Sequence, residues 1–264
     1  MTTAPPAPPR IVPLSRSAHA HKRWIPYTGY SFAMPHTLLP LVGLELGRAA
    51  SCLPVVFAAV DKGFLPMALL GLDTGQNLFV GEGGEWLGEY VPAALRSQPF
   101  ALGRNPQGQL ILCIDEGSPL VSDTEGELFF PQGDELAAGA RKAMDFLSRV
   151  EQGRAATLRA CEALAKHGCI VPLSFTVKVS GVDRSVEGLY QAGETQLSAL
   201  PDEAFLELRK TGALQLAYTQ LLSLHKLPLL GSLATRRAEA VARRAGPDLS
   251  LLDKDGTFGF DALR

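Results

Sequence analysis

Apolar and polar positions change their spacing several times along the chain, and each change marks an element. Leu53 to Val60 is a short apolar run closed by Asp61-Lys62-Gly63, and Phe64 to Leu72 is a second. Runs of this length between turn residues predict buried strands. Asp73-Thr74-Gly75 turns the chain into a third predicted strand at Gln76–Val80. Turns this short join antiparallel neighbours, so the first half reads as an antiparallel strand meander. Phe100–Gly103, Gln109–Ile114 and Leu128–Phe130 continue it, with a hairpin loop at Asn105-Pro106-Gln107-Gly108. Ahead of the meander, Leu41, Leu44 and Leu46 with Ala49 and Ala50 predict a helix over Leu38–Ser51, with Pro40 in its first turn.

The second half switches to helical spacing. Leu136, Ala140, Ala143, Met144, Leu147 and Val150 recur every three or four residues, and Leu158, Cys161 and Leu164 resume the pattern beyond Gly153. Gly168 closes this long helix, with Lys166 and His167 in its last turn, where the helix dipole favours positive charge. Ile170–Val179 and Ser185–Tyr190 form a predicted hairpin with one wet face. A short helix or turn follows at Thr195–Leu200, then helices at Pro201–Lys210 and Leu214–Leu224. A basic helix is predicted at Ala234–Ala245, and a terminal hairpin at Leu249–Leu252 and Thr257–Phe260. The fold class is therefore α+β: an antiparallel meander first, then a long helix, a hairpin and further helices. The expected organisation is a disordered tail at 1–10, one domain over 11–231, and a basic helix with hairpin extension over 232–264.

Composition narrows the function. With 264 residues, 46% hydrophobic and 20% charged, the chain is globular rather than disordered. A net charge of −2 argues against a nucleic-acid-binding surface. No run of about 18 apolar residues is present, so no transmembrane segment is expected, and the Pro- and Ala-rich start lacks the apolar core of a secretory signal. The four cysteines are widely spaced without C-x-x-C, which fits free thiols in a reducing compartment and a cytoplasmic location. No G-x-G-x-x-G, G-x-x-x-x-G-K-[ST], H-E-x-x-H or G-x-S-x-G motif occurs. No cofactor is expected.

The stretch from Asn77 to Phe100 carries the most pointed chemistry. Gly81, Gly83 and Gly84 allow a tight turn, and Pro92 and Pro99 bracket a short helix. Trp86, Tyr90 and Arg96 then bring two aromatics beside one guanidinium, a set suited to a carboxylate of a peptide, an amino acid or an acidic small molecule. Asn77 opens the stretch, and Glu45 is a carboxylate inside an apolar helix, facing either a pocket or an arginine. The competing reading of the same residues is core packing, with Arg96 paired to Glu45 or Asp115. A second constellation is His19, His21 and His36, with Glu45 as a fourth candidate metal ligand, since H-x-H puts both imidazoles on one face of an extended chain. The arginines at 236, 237, 243 and 244 suit a protein partner or a second copy of the chain docking on 234–264.

Asn77-Leu78-Phe79, then Trp86, Tyr90-x-Pro92 and Arg96-x-x-Pro99-Phe100 resemble the central motif of the bacterial SapC family. Pro13-Leu14-Ser15 with His19, Glu45 with Pro54-Val55-Val56-Phe57, Cys113-Ile114-Asp115, Gly126 with Leu128-Phe129, and Gly188-Leu189-Tyr190 followed by Gly212, Tyr218 and Ser223-Leu224 extend the likeness over roughly residues 11 to 231. The resemblance implies a non-catalytic binding or accessory protein of a surface, uptake or halogenase-linked biosynthetic system, and brings no catalytic residue set with it. The alternatives are a metal-dependent enzyme built on the N-terminal histidines and Glu45, and a surface-layer-associated protein.

Overall fold

The computed structural model describes residues 9–61 and 63–245. In chain order the strands and helices are β1 (Ile11–Pro13), α1 (Arg16–His19), β2 (Arg23–Trp24), β3 (Leu38–Pro40), α2 (Gly43–Cys52), β4 (Val55–Val60), β5 (Gly63–Leu69), α3 (Ala93–Arg96), β6 (Phe100–Arg104), β7 (Leu110–Asp115), β8 (Val121–Ser122) and β9 (Glu127–Leu128). Then come α4 (Ala138–Lys166), β10 (Ile170–Val179), β11 (Val182–Ala192), α5 (Glu194–Ser198), α6 (Asp202–Thr211), α7 (Ala213–Ser223) and α8 (Leu227–Ala245). The fold is α+β, with short strands early and long helices late, as the hydrophobic spacing predicts.

The main sheet is antiparallel, in the order β10-β11-β4-β5-β3. Its β4 strand is buried through Val55, Val56 and Phe57; α7 packs on β4 and β11, α4 packs on β5, and α2 packs on α7 and α4. Two three-stranded sheets, β1-β7-β6 and β8-β2-β9, enclose a smaller core of Phe100, Leu112, Ile114 and Phe129 against Ala140 of α4. The long helix thus bridges both cores and supplies one wall of the clefts between them.

Two segments differ from the sequence-based expectation. Leu38–Pro40 is a strand rather than the first turn of a helix: Leu38 pairs with Leu69 and Pro40 with Met67. A proline fits there because β3 is the sheet edge, where one side needs no amide donor. The helix starts at Gly43, and the Glu45 carboxylate accepts from the Val42 amide at 3.2 Å, capping its first turn. Gln76–Val80 is not a strand. The Asn77 side chain, fully buried, accepts from the Phe79 amide at 2.9 Å and donates to the Ala33 carbonyl at 3.1 Å, curling the chain into a turn. Only Val80 makes a bridge, to Trp86.

Gly153 is carried inside α4 without a break. A Cβ at that position would stand 2.9 Å from a Leu44 methyl, so the glycine is what lets α2 approach α4. The hairpin β10–β11 turns through Ser180 and Gly181, both at positive φ (50° and 83°), so its second strand begins at Val182, ahead of the predicted Ser185. Helix α8 runs unbroken through position 231. The predicted terminal hairpin lies outside the described residues, as do positions 1–8 of the tail. Among the described residues no helix is long and apolar enough to cross a membrane.

Candidate functional site

Helix α3 is a single turn stopped by the chain on both sides, and it aims Arg96 outward while Leu95 and Ala93 go into the core. Next to it the Glu45 carboxylate, only 6% exposed, is fully engaged. One oxygen takes the Val42 amide, and the other takes the Tyr90 hydroxyl at 2.7 Å and the Ala93 amide at 2.8 Å. A buried carboxylate held by three donors keeps α2 and the start of α3 in fixed register.

The Tyr90 hydroxyl donates to Glu45 and accepts from Arg96 Nη2 at 3.0 Å. Burial, then the hydrogen bond and charge of Glu45, push Tyr90 well above the ordinary tyrosine range, with Arg96 pulling the other way. Tyr90 therefore stays a proton donor across physiological pH. The expected Arg96 pairing with Glu45 or Asp115 is not direct: Tyr90 stands between Arg96 and Glu45, and Asp115 instead binds the Arg10 and Gly117 amides. The guanidinium lies over two rings, 4.8 Å from the Phe146 centroid and 5.5 Å from that of Tyr90.

Trp86 is held further back. Its indole N–H donates to the Tyr90 carbonyl at 2.9 Å, and its ring stacks on Phe79 with centroids 5.7 Å apart. Trp86 and Asn77 thus fix the loop that presents Tyr90; neither lines a cleft. Of the five candidate residues, Glu45, Tyr90 and Arg96 come together and the other two support them.

Arg96 and Phe146 form the wall shared by two clefts of about 400 Å³ each. On one side lie Arg48, Arg149, Val42 and Leu44 with Tyr90 and Glu45. On the other lie Trp24, Tyr27, Phe100, Gly139 and Lys142. Among the described residues Arg48, Arg96, Lys142 and Arg149 form no ion pair. Sequence reasoning missed Arg48, Arg149 and Phe146. Their signal was positional: Arg48 follows Glu45 by three residues on α2 and Arg149 follows Phe146 by three on α4, one turn in each case.

The N-terminal histidines do not converge. His19 is buried, with Nδ1 2.9 Å from the Ser15 carbonyl oxygen and Nε2 3.0 Å from Glu116 Oε1. His21 and His36 are exposed. Among the described residues no group of three His, Cys, Asp or Glu side chains is placed to hold a metal ion.

The SapC family model matches residues 14–230. The chain belongs to the SapC family. The match spans every element that builds the Arg96 clefts, and ends within α8 of this SapC-family chain. No curated protein and no solved structure matches it.

Proposed function

We propose that this SapC-family protein is a non-catalytic binding protein that takes an acidic ligand, a free carboxylate of a small molecule or peptide, at Arg96. The observation that carries this reading is the state of Arg96 itself. Its guanidinium is exposed, backed by Tyr90 and Phe146, and has no carboxylate partner among the described residues, while Arg48 and Arg149 add positive charge beside it. A guanidinium fixed over aromatic rings with open donors is pre-organised for a planar acid group. Tyr90 and Glu45 set its position: Glu45 is buried and holds three donors, and Tyr90 keeps its proton, so both serve as supports in this reading.

Calorimetry and thermal-shift measurements with a panel of carboxylates test the reading. A carboxylate is expected to bind and raise Tm, and Arg96→Ala to weaken it by roughly 10- to 100-fold, the value of one or two charge-assisted hydrogen bonds. Lys at this position should restore part of the affinity, since it keeps the charge but not the fork. Equal binding by the wild type and Arg96→Ala would reject the assignment.

A further inference from the structure

The cleft on the α4 side of Arg96 has a composition unlike its neighbour. Four aromatic rings line it: Trp24, Tyr27, Phe100 and Phe146. The neighbouring cleft is lined by aliphatic groups and arginines, with Tyr90 and the shared Phe146 as its aromatics. Trp24 meets Phe100 edge-to-face at 5.3 Å, and Gly139 lets α4 pack against the indole, where a Cβ would come within 2.6 Å of Trp24 Cζ2. The Trp24 N–H is buried and has no acceptor among the described residues. Such a donor is uncommon, because an unmatched buried N–H is costly. Tyr27 donates its hydroxyl proton to the Leu95 carbonyl at 3.2 Å. Burial, with Tyr30 beside it and Arg96 opposing, pushes its pKa up to about 12, so this wall stays uncharged.

Charge gives the cleft a direction. Arg96 and Lys142 both line the cleft, and the Glu127 carboxylate lies beside Gly139. An acid group entering here is drawn to Arg96 and Lys142 and repelled from the Gly139 end. What remains of the ligand then lies among the rings, where a flat π-system finds edge-to-face and offset partners that an alkyl group does not.

We propose that the Trp24–Tyr27–Phe100–Phe146 cleft selects aromatic carboxylates, holding the ring among these side chains and the acid group on Arg96 and Lys142. The proposal rests on the reading of Arg96 as the acid-binding group, and adds which side of Arg96 the ligand occupies and what class it belongs to. A cleft of about 400 Å³ accommodates a one- or two-ring acid.

The test uses phenylacetate, acetate and cyclohexylacetate as probes on the full chain, read by calorimetry and by the indole N–H resonances of its two tryptophans. Phenylacetate is expected to bind roughly tenfold or more tighter than either non-aromatic acid and to move the Trp24 resonance but not that of Trp86. Lys142→Ala, at an exposed position, should weaken phenylacetate several-fold, and Ala143→Trp, which fills the cleft, should abolish its preference. Equal affinities for the three acids, all still lost in Arg96→Ala, would overturn aromatic selection and leave Arg96 as the acid site. Phenylacetate binding that ignores both Lys142→Ala and Ala143→Trp would move the ligand to the other cleft and overturn the proposal. No binding by any probe overturns it together with the reading beneath it.

Discussion

The Tyr90 hydroxyl has one proton and gives it to Glu45, leaving its lone pairs for Arg96. Tyr90→Phe removes both contacts and leaves a buried carboxylate oxygen with one donor fewer. A loss of about 1–3 kcal/mol in urea unfolding is expected, together with weaker carboxylate binding, because Arg96 loses its anchor. Tyrosines also set the alkaline limit. Tyr27 and Tyr90 have folded-state pKa values above their ordinary one, so above about pH 10 the unfolded chain gives up protons that the native state keeps. Stability should therefore be full below pH 10 and decline as pH rises toward the folded values. Absorbance titration at 295 nm should show two late-ionising tyrosines, reduced to one in Tyr90→Phe. The residue types of this site were legible in the sequence, since Trp86, Tyr90 and Arg96 sit within eleven positions of one another. Their division of labour was not, because nothing in the spacing says that the Trp86 N–H turns back to the Tyr90 carbonyl, or that Glu45 arrives from 45 residues upstream.

Helices α2 and α4 meet at Gly153, and the cleft walls depend on that approach. Gly153→Leu places a side chain where Leu44 already lies, and is expected to destabilise the fold by about 1–3 kcal/mol and to shift Arg48 relative to Arg149. Gly153→Ala should cost less, since Ala favours the helix while still crowding Leu44. Chemical denaturation of the two variants checks the order. Hydrophobic spacing revealed α4, β4, β5 and the β10–β11 hairpin because each buries a regular stripe. It failed where a side-chain hydrogen bond or backbone pairing at a sheet edge overrode the stripe. Asn77 bends an apolar run that otherwise reads as a strand, and the edge of the sheet claims Leu38–Pro40 from a pattern that looks helical.

The whole chain is slightly acidic, at −2, yet Arg48, Arg96, Lys142 and Arg149 gather around one stretch of α4. Local rather than net charge would then draw an anion, and such attraction is screened by salt. Raising ionic strength from about 0.05 to 0.5 M shortens the Debye length from roughly 14 to 4 Å, so carboxylate affinity should fall several-fold in calorimetry, with the aromatic preference unchanged. The sequence hid this clustering because its members come from α2, α3 and α4, brought together only by tertiary packing. Helix α8 also reaches the turn that leads toward Tyr90 and Arg96. Arg237 donates to the Asn77 carbonyl at 2.9 Å and to that of Val80, and Val80 bridges to Trp86, which holds Tyr90. Arg237 lies seven residues past the stretch that the family model matches, position 230. A chain trimmed to that boundary would keep every residue that lines the two clefts and lose the Arg237 contacts, so the loop that carries Tyr90 is expected to loosen while the cleft lining stays intact in sequence.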